Sequence, residues 1–407
     1  MDASRNQPNV LWLQVWGLAG VQGAITLTWL IYNLYLPQLL VQFGFAKELA
    51  AGLLIIENAL AIAMEPLMGG ISDRIKHSLG SRFPLISVGV ILSSALFIAI
   101  PAVVVFRNLF DGIRWVLLLL MVGWALAMAV FRSPAISLLG KYARPAELPL
   151  AASLLTLAAG IIGAFKPIAN QFVLGMGPIF SFAIGTFVLL GAAAILRRFD
   201  PPEIPQQDNT LPVVPSPSLS LLSPLLLILG TGAGVAWGSR FLMDAMPKML
   251  KNQWQNADIP WLMFAISLFL AFAALPAGAL AVKLGNQRAM LIGIGATIPL
   301  LLLMVLIPNW FIVAVTILGA LAFFALIVNG VVPFALSLVP TERSGLGVGF
   351  YFGGIGLGSS LFGILFPQLA SMTAVASGIW GAIAFLVAAI CIAASGKLRS
   401  VPEAVEA

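Results

Sequence analysis

The stretch GGISDRIKHSLGSR, Gly69–Arg82, follows an apolar run, and GALAVKLGNQR, Gly278–Arg288, follows another in the second half of the chain. Setting Gly69 against Gly278 gives an offset of 209 residues. LYLPQLL at 34–40 answers AMPKML at 245–250, with Pro37 against Pro247 at an offset of 210. A third pair, Pro134 and Pro333, stands at 199, the intervening connections being shorter. Matches recurring at a nearly constant offset within 407 residues mark two copies of one structural unit.

Composition identifies the solvent around that unit. Hydrophobic residues make up 60% and charged residues 9%, with a mean hydropathy of +1.04, whereas soluble domains carry roughly a quarter charged residues. Apolar stretches of about 20 residues, the length that crosses a hydrocarbon core, fall at 11–42, 48–71, 83–106, 113–138, 150–174 and 178–196. Six more fall at 221–249, 257–282, 288–307, 309–334, 344–370 and 373–396. The expectation is an all-α integral membrane protein, with twelve transmembrane helices in two pseudo-symmetric six-helix bundles, 1–196 and 221–407. The segment between them, RRFDPPEIPQQDNTLPVVPSPSLS at 197–220, has six prolines and no apolar periodicity, and reads as an extended linker. The polar opening MDASRNQPNV leads into an apolar run too long for a cleavable signal core, so the first span is expected to stay.

Lysine and arginine orient the bundle. Thirteen of them, Arg5, Arg74, Lys76, Arg82, Lys141, Arg144, Arg197, Arg198, Lys283, Arg288, Arg343, Lys397 and Arg399, share a face with the two termini. Five, Lys47, Arg107, Arg114, Lys248 and Lys251, fall on the opposite face. The positive-inside rule puts the termini and the linker in the cytoplasm, which for this kind of chain means a plasma (inner) membrane. The net charge of +6 is scattered over short loops, so no nucleic-acid surface is expected.

GGISDR followed by GSR resembles the loop between helices 2 and 3 of the major facilitator superfamily. The spacer IKHSL and the following RFPLI are similar to those of the glycoside-pentoside-hexuronide cation symporters and the related sucrose-proton symporters. EPLMG at 65–69 is similar to the symporters' helix-2 motif of an acid, a proline and a glycine. FRSPAISLL at 131–139 and VVPFALSLVPTERSGLGVGFYF at 331–352 are similar to their segments around helices 4–5 and 10–11. About a third of the chain carries the resemblance. It implies the major facilitator fold, transport by rocking one bundle against the other around a central site, and Asp73, Arg74 and Arg82 as residues of a cytoplasmic gate. Three positions depart from it. Ala61 stands where sodium-coupled members carry a second helix-2 acid, Arg132 where they carry an acid before the helix-4 proline, and Val282 where the second half would repeat Asp73. A sodium site is therefore incomplete, and the gate of the second half is expected to be weaker or differently built.

Six ionisable residues fall within spans: Glu57, Glu65 and Asp244 against Arg132, Lys166 and Arg240. Each must find a partner or a wet cavity, because an ionised group in hydrocarbon costs roughly 2.5 to 3.5 kcal/mol on insertion scales. Glu65 and Arg132 both lie about six residues from the cytoplasmic ends of their helices, hence at one depth, either as a permanent ion pair or as a gating element. Asp244 and Arg240, four apart, are expected to pair along their helix. Glu57 has no adjacent base in sequence. That suits a residue that takes up and releases a proton, with Lys166 or Arg240 able to neutralise it in one state.

Gln22, Thr26, Trp29 and Asn33 recur at helical spacing along one face of the first span, flanked by Tyr32 and Tyr35. Amides, a hydroxyl and an indole together suit a polyhydroxylated ligand; equally, such groups glue membrane helices together. Asn58, Trp124, Lys166, Asn170, Trp237, Asn329 and Tyr351 are further candidates at the border of a central cavity.

No enzyme is expected, since there is no serine-histidine or metal constellation, and the single His77 and single Cys391 build neither a metal site nor a disulfide. GGIGLG at 353–358 falls inside an apolar span without a preceding strand, so close helix packing explains it better than a dinucleotide loop. No cofactor or nucleotide is expected, and the partners are a small-molecule substrate, a proton and the lipid bilayer, with the chain acting as a monomer. The expected function is proton-coupled symport of a sugar or glycoside. Sodium-coupled sugar symport, efflux of an amphipathic molecule, and a non-transporting receptor on the same fold are the alternatives.

Overall fold

The computed structural model describes residues 9–106, 112–201, 221–254 and 256–399. Apart from one isolated bridge between Val10 and Ala143, these residues are helical or loop. The first half contributes α1 (Trp12–Gln42), α2 (Leu49–Leu79), α3 (Phe83–Val105), α4 (Ile113–Ile136), α5 (Leu148–Ala164, continued after a break by Ala169–Phe172) and α6 (Pro178–Phe199). The second contributes α7 (Leu222–Gln253), α8 (Ile259–Leu284), α9 (Asn286–Leu306), α10 (Trp310–Ser337), α11 (Ser344–Leu365) and α12 (Ala374–Arg399). Among the described residues, eleven helices are long and apolar enough to cross a membrane unbroken, and counting the bent α5 as one span gives twelve. The chain is an integral multi-pass membrane protein.

Span 150–174 is thus not one helix. Its two pieces meet at 61°, and the reason is local. Pro167 has no N–H to donate and disfavours helical backbone at the residue before it, Lys166. Two other boundaries differ from the expected ones. α2 runs to Leu79 rather than 71, so most of GGISDRIKHSLGSR is helical, and the helix ends at Gly80 with φ of 70°, a left-handed conformation that glycine adopts without penalty. α7 runs to Gln253 rather than 249, which carries Lys251 into the helix. Arg197 and Arg198 likewise belong to the last turn of α6. The linker expected at 197–220 lies, from 202 onward, outside the described residues, as do Arg5 and Arg107.

Contacts repeat with a six-helix shift. In the first half α1 packs on α6 and α5, α3 on α4 and α6, and α2 on α4; in the second, α7 packs on α12 and α11, α9 on α10 and α12, and α8 on α10. Two apolar cores form, one around Leu18, Tyr32, Trp124 and Phe182 that also takes in Ala271 and Phe352 of the second half, the other around Leu242, Met290, Phe324 and Phe385. The halves meet along α2 against α11 and α5 against α8. The paired glycines sit on those two seams. A Cβ on Gly69 would collide with the carbonyl oxygen of Gly345 on α11, and one on Gly278 would lie 2.7 Å from the Ser153 Cβ and 2.9 Å from the Pro149 oxygen on α5. Only glycine allows backbones this close.

Candidate functional site

The face carrying most of the basic loops is closed by a bridge between the halves. Asp73, near the end of α2, accepts hydrogen bonds from the backbone N–H groups of Gly345 at 2.9 Å and Leu346 at 2.8 Å. These are first-turn donors of α11 with no partner inside their own helix, and a carboxylate there also complements the helix dipole. Arg82 completes the bridge. It is ion-paired to Asp73 and donates to Ser344 Oγ at 2.9 Å. All three side chains are buried. Arg74 does not join them: it is exposed, since adjacent helical residues point about a quarter-turn apart. Ser72 is fully buried beside this bridge, and its hydroxyl has no hydrogen-bond partner.

One layer deeper, Glu65 is completely buried. Arg132 donates to its Oε1 at 2.8 Å through Nε, and Ser133 donates to its Oε2. The Arg132 guanidinium also lies over the Phe352 ring of α11, 4.4 Å from its centroid. Tyr351, its neighbour in sequence, is half-buried.

Glu57, two turns further along α2, has a different environment. Its Oε1 accepts a hydrogen bond from the Tyr32 hydroxyl of α1, while its Oε2 is buried without a partner. Tyr32 in turn belongs to an aromatic stack. It lies 4.4 Å from Trp124 between centroids, Trp124 lies 4.8 Å from Trp29 and 5.0 Å from Phe97, and Phe97 lies 4.3 Å from Phe182. Trp124 is fully buried in this stack, so it does not border an open cavity. Asn329 is not brought there either; it is fully buried and donates to the Ala274 carbonyl of α8 at 2.5 Å.

Asn33, Lys166, Asn170 and Arg240 are exposed although they lie within spans. Arg240 is held on the protein side by Ser359 Oγ at 3.1 Å and by the Phe362 ring at 5.2 Å, both on α11. Ionised groups exposed within a span call for an aqueous surface rather than lipid. Along α1, Gln22 and Trp29 keep an amide oxygen and an indole N–H without partners, whereas Thr26 and Asn33 bond the backbone of their own helix at 2.9 and 2.7 Å. Asn58 likewise bonds its own helix at Leu54, and Trp237 donates to the Gly358 carbonyl of α11.

The expected pair of Asp244 with Arg240 does not form. Asp244 takes Lys248 at 2.5 Å and Ser377 Oγ at 2.6 Å instead. Both bases are four residues from Asp244, on opposite sides, and both lie on α7. Sequence reasoning also missed Tyr32 as the partner of Glu57 and Ser133 as the second donor to Glu65. A hydroxyl next to Arg132 was visible in the sequence, but nothing linked α1 to α2.

No family model matches the sequence, and no curated protein matches it. Solved structures do. A bacterial homologue of the iron transporter ferroportin, in an outward-facing state, superposes with a TM-score of 0.67 at 18% identity, covering 95% of this chain and 99% of that one. The E. coli fucose:proton symporter FucP gives 0.67 at 11% identity, covering 93% and 97%. The human organic anion transporter MFSD10 gives 0.60 at 14% identity, covering 95% and 100%. At these identities the likeness establishes the major facilitator fold.

Proposed function

We propose that this protein is a secondary active transporter that moves a small polar solute by alternating access, with its termini in the cytoplasm. The observation that carries the reading is the asymmetry of the interface. The basic face is sealed between the halves by Asp73, Arg82 and the start of α11, while Asn33, Lys166, Asn170 and Arg240 are accessible. A receptor or rigid scaffold has no need of a hydrogen-bonded closure at one end of a wet cleft. Glu57 is the residue we assign to proton coupling, because it is the in-span carboxylate without a basic partner. The accessible amides and the unpartnered polar atoms of α1 support a hydroxylated solute such as a sugar, in keeping with the symporter resemblance of the 69–87 segment.

Thiol accessibility tests the access switch. In a Cys391→Ser background, Asn33→Cys should react readily with a water-soluble thiol reagent and Ser72→Cys should be protected. Adding Asp73→Asn weakens the closure, since two backbone donors and Arg82 lose a charged partner worth roughly 1.5 to 3 kcal/mol per bond. Labelling at Ser72→Cys should then rise by at least about tenfold, with a matching fall at Asn33→Cys. Unchanged labelling at both positions would refute alternating access through this closure.

A further inference from the structure

α2 is shared between the halves. It lies against α11 of the second half from Ile55 to Gly69, while two carboxylates tie it to helices of its own half. Glu65 reaches α4, where Arg132 and Ser133 occupy both of its oxygens. Glu57 reaches α1, where the Tyr32 hydroxyl donates to one oxygen and the other stays unpartnered. Among the described residues, the remaining side-chain hydrogen bonds of α1 run to its own backbone, to Val173 beyond the break of α5, and to Ser181 and Phe199 of α6. The Tyr32–Glu57 bond is thus the polar link between α1 and α2. The phenol is not free to follow α2, because its buried ring lies 4.4 Å from Trp124 of α4 and edge-on to Trp29 at 5.8 Å.

The helices packed against α2 offer Glu57 no other titratable partner. α1 and α11 carry no charged residue. Their other phenols are engaged elsewhere, Tyr35 with Val173 and Ser181 and Tyr351 against Gly232 of α7. α4 carries Arg114 at its outer end, over the Trp115 ring, and Arg132, which Glu65 holds two turns nearer the basic face. Glu342 and Arg343 precede α11 at the basic face, next to the donors of the Asp73 closure. We infer that Tyr32 is the positioning residue through which the proton state of Glu57 sets how firmly α2 is held to its own half. The inference rests on the reading of Glu57 as the proton site and adds how that site acts. A hydrogen bond to an ionised carboxylate is roughly twice as strong as one between neutral groups. Ionised Glu57 therefore fastens α2 to α1 in the arrangement with the basic face closed, and proton uptake loosens α2 to move with α11. Glu65 does not respond in this way, since its tie is an ion pair.

In the Cys391→Ser background, labelling at Ser72→Cys and Asn33→Cys, each normalised to a free thiol at the same pH, follows the closure. As the pH falls and Glu57 takes up its proton, the Ser72→Cys to Asn33→Cys ratio should rise by about fivefold to twelvefold, the difference between a charged and a neutral hydrogen bond. Tyr32→Phe keeps the ring and its stack but removes the donor, and should shrink that change to under about twofold. Adding Glu57→Gln to it should flatten the profile no further. The proton itself is read by the infrared carbonyl band of a protonated carboxyl group, which should still titrate in Tyr32→Phe and lose a component in Glu57→Gln. A purely structural phenol would leave the pH profile in place once its ring is kept. A full pH-dependent change in Tyr32→Phe, or a flattened one in which the Glu57 band no longer titrates, overturns the positioning role. A titrating band that Glu57→Gln leaves untouched overturns instead the proton-site reading beneath it.

Discussion

Glu57 and Glu65 lie eight residues apart on α2, about 12 Å along the axis, and the structure treats them in opposite ways. Glu65 has both oxygens satisfied and a guanidinium against it, a closed arrangement in which removing Arg132 alone would leave a buried charge. Glu57 has a neutral donor on one oxygen and nothing on the other, so a proton can be added without breaking an ion pair. In the Cys391→Ser background the balance of labelling between Asn33→Cys and Ser72→Cys, normalised to a free thiol, should therefore shift with pH. Glu57→Gln keeps an acceptor for Tyr32 but cannot exchange a proton, and should flatten that dependence. If the mutant retained the full shift, the coupling proton would have to sit elsewhere. Depth was legible in the sequence, because helical rise is fixed at about 1.5 Å per residue; that is why Glu65 and Arg132 could be set at one level. Azimuth was not. Which way a side chain points around its axis depends on how the helices rotate against each other, and so Tyr32, Ser133 and Lys248 could not be assigned as partners.

Among the elements, α2 and α11 decide how the molecule closes. They are in contact from Ile55 near one end to Gly69 near the other, with Ser360 donating to the Ile55 carbonyl at 3.0 Å and Gly69 against Gly345. A methyl group at Gly69 would have to displace backbone, which side-chain adjustment cannot relieve. Overpacking of this kind costs roughly 1 to 3 kcal/mol, a shift of about fivefold to 150-fold between two states. Gly69→Ala should thus open the basic face and raise Ser72→Cys labelling by that order. Labelling equal to that of the parent would mean that the α2–α11 seam does not change between states. The glycine repeat was legible in the sequence, as was the close packing of GGIGLG, because small residues recurring within apolar spans have few other uses. The break in α5 could have been read from Lys166-Pro167, but hydropathy averages over a window and passes across a kink.

Over the whole molecule the repeated contacts explain a substitution that the repeat alone left unexplained. Gly69 meets the carbonyl of Gly345, and Gly278 meets the carbonyl of Pro149, so Pro149 occupies in the first half the place that Gly345 occupies in the second. Asp73 accepts the Gly345 N–H. Proline has no N–H, and the residue corresponding to Asp73 is Val282, so the first of the two donors and the acceptor are missing together on the α5–α8 seam. The two seams are then different devices: a polar closure on α2–α11, and small-residue packing on α5–α8. Transferring the carboxylate should fail for that reason. Asp73→Val leaves Arg82 buried without its partner, at a cost of roughly 3 to 5 kcal/mol, and should expose Ser72→Cys to labelling. Adding Val282→Asp restores the total charge but presents the carboxylate to a helix start whose first donor is absent, so Ser72→Cys should remain as reactive as in Asp73→Val alone. Replacing Pro149 by Gly in that double variant returns the N–H, and only then should protection recover in part. If Val282→Asp by itself restored protection, the closure would depend on net charge at that face rather than on the matched pair of a carboxylate and an unpaired backbone donor.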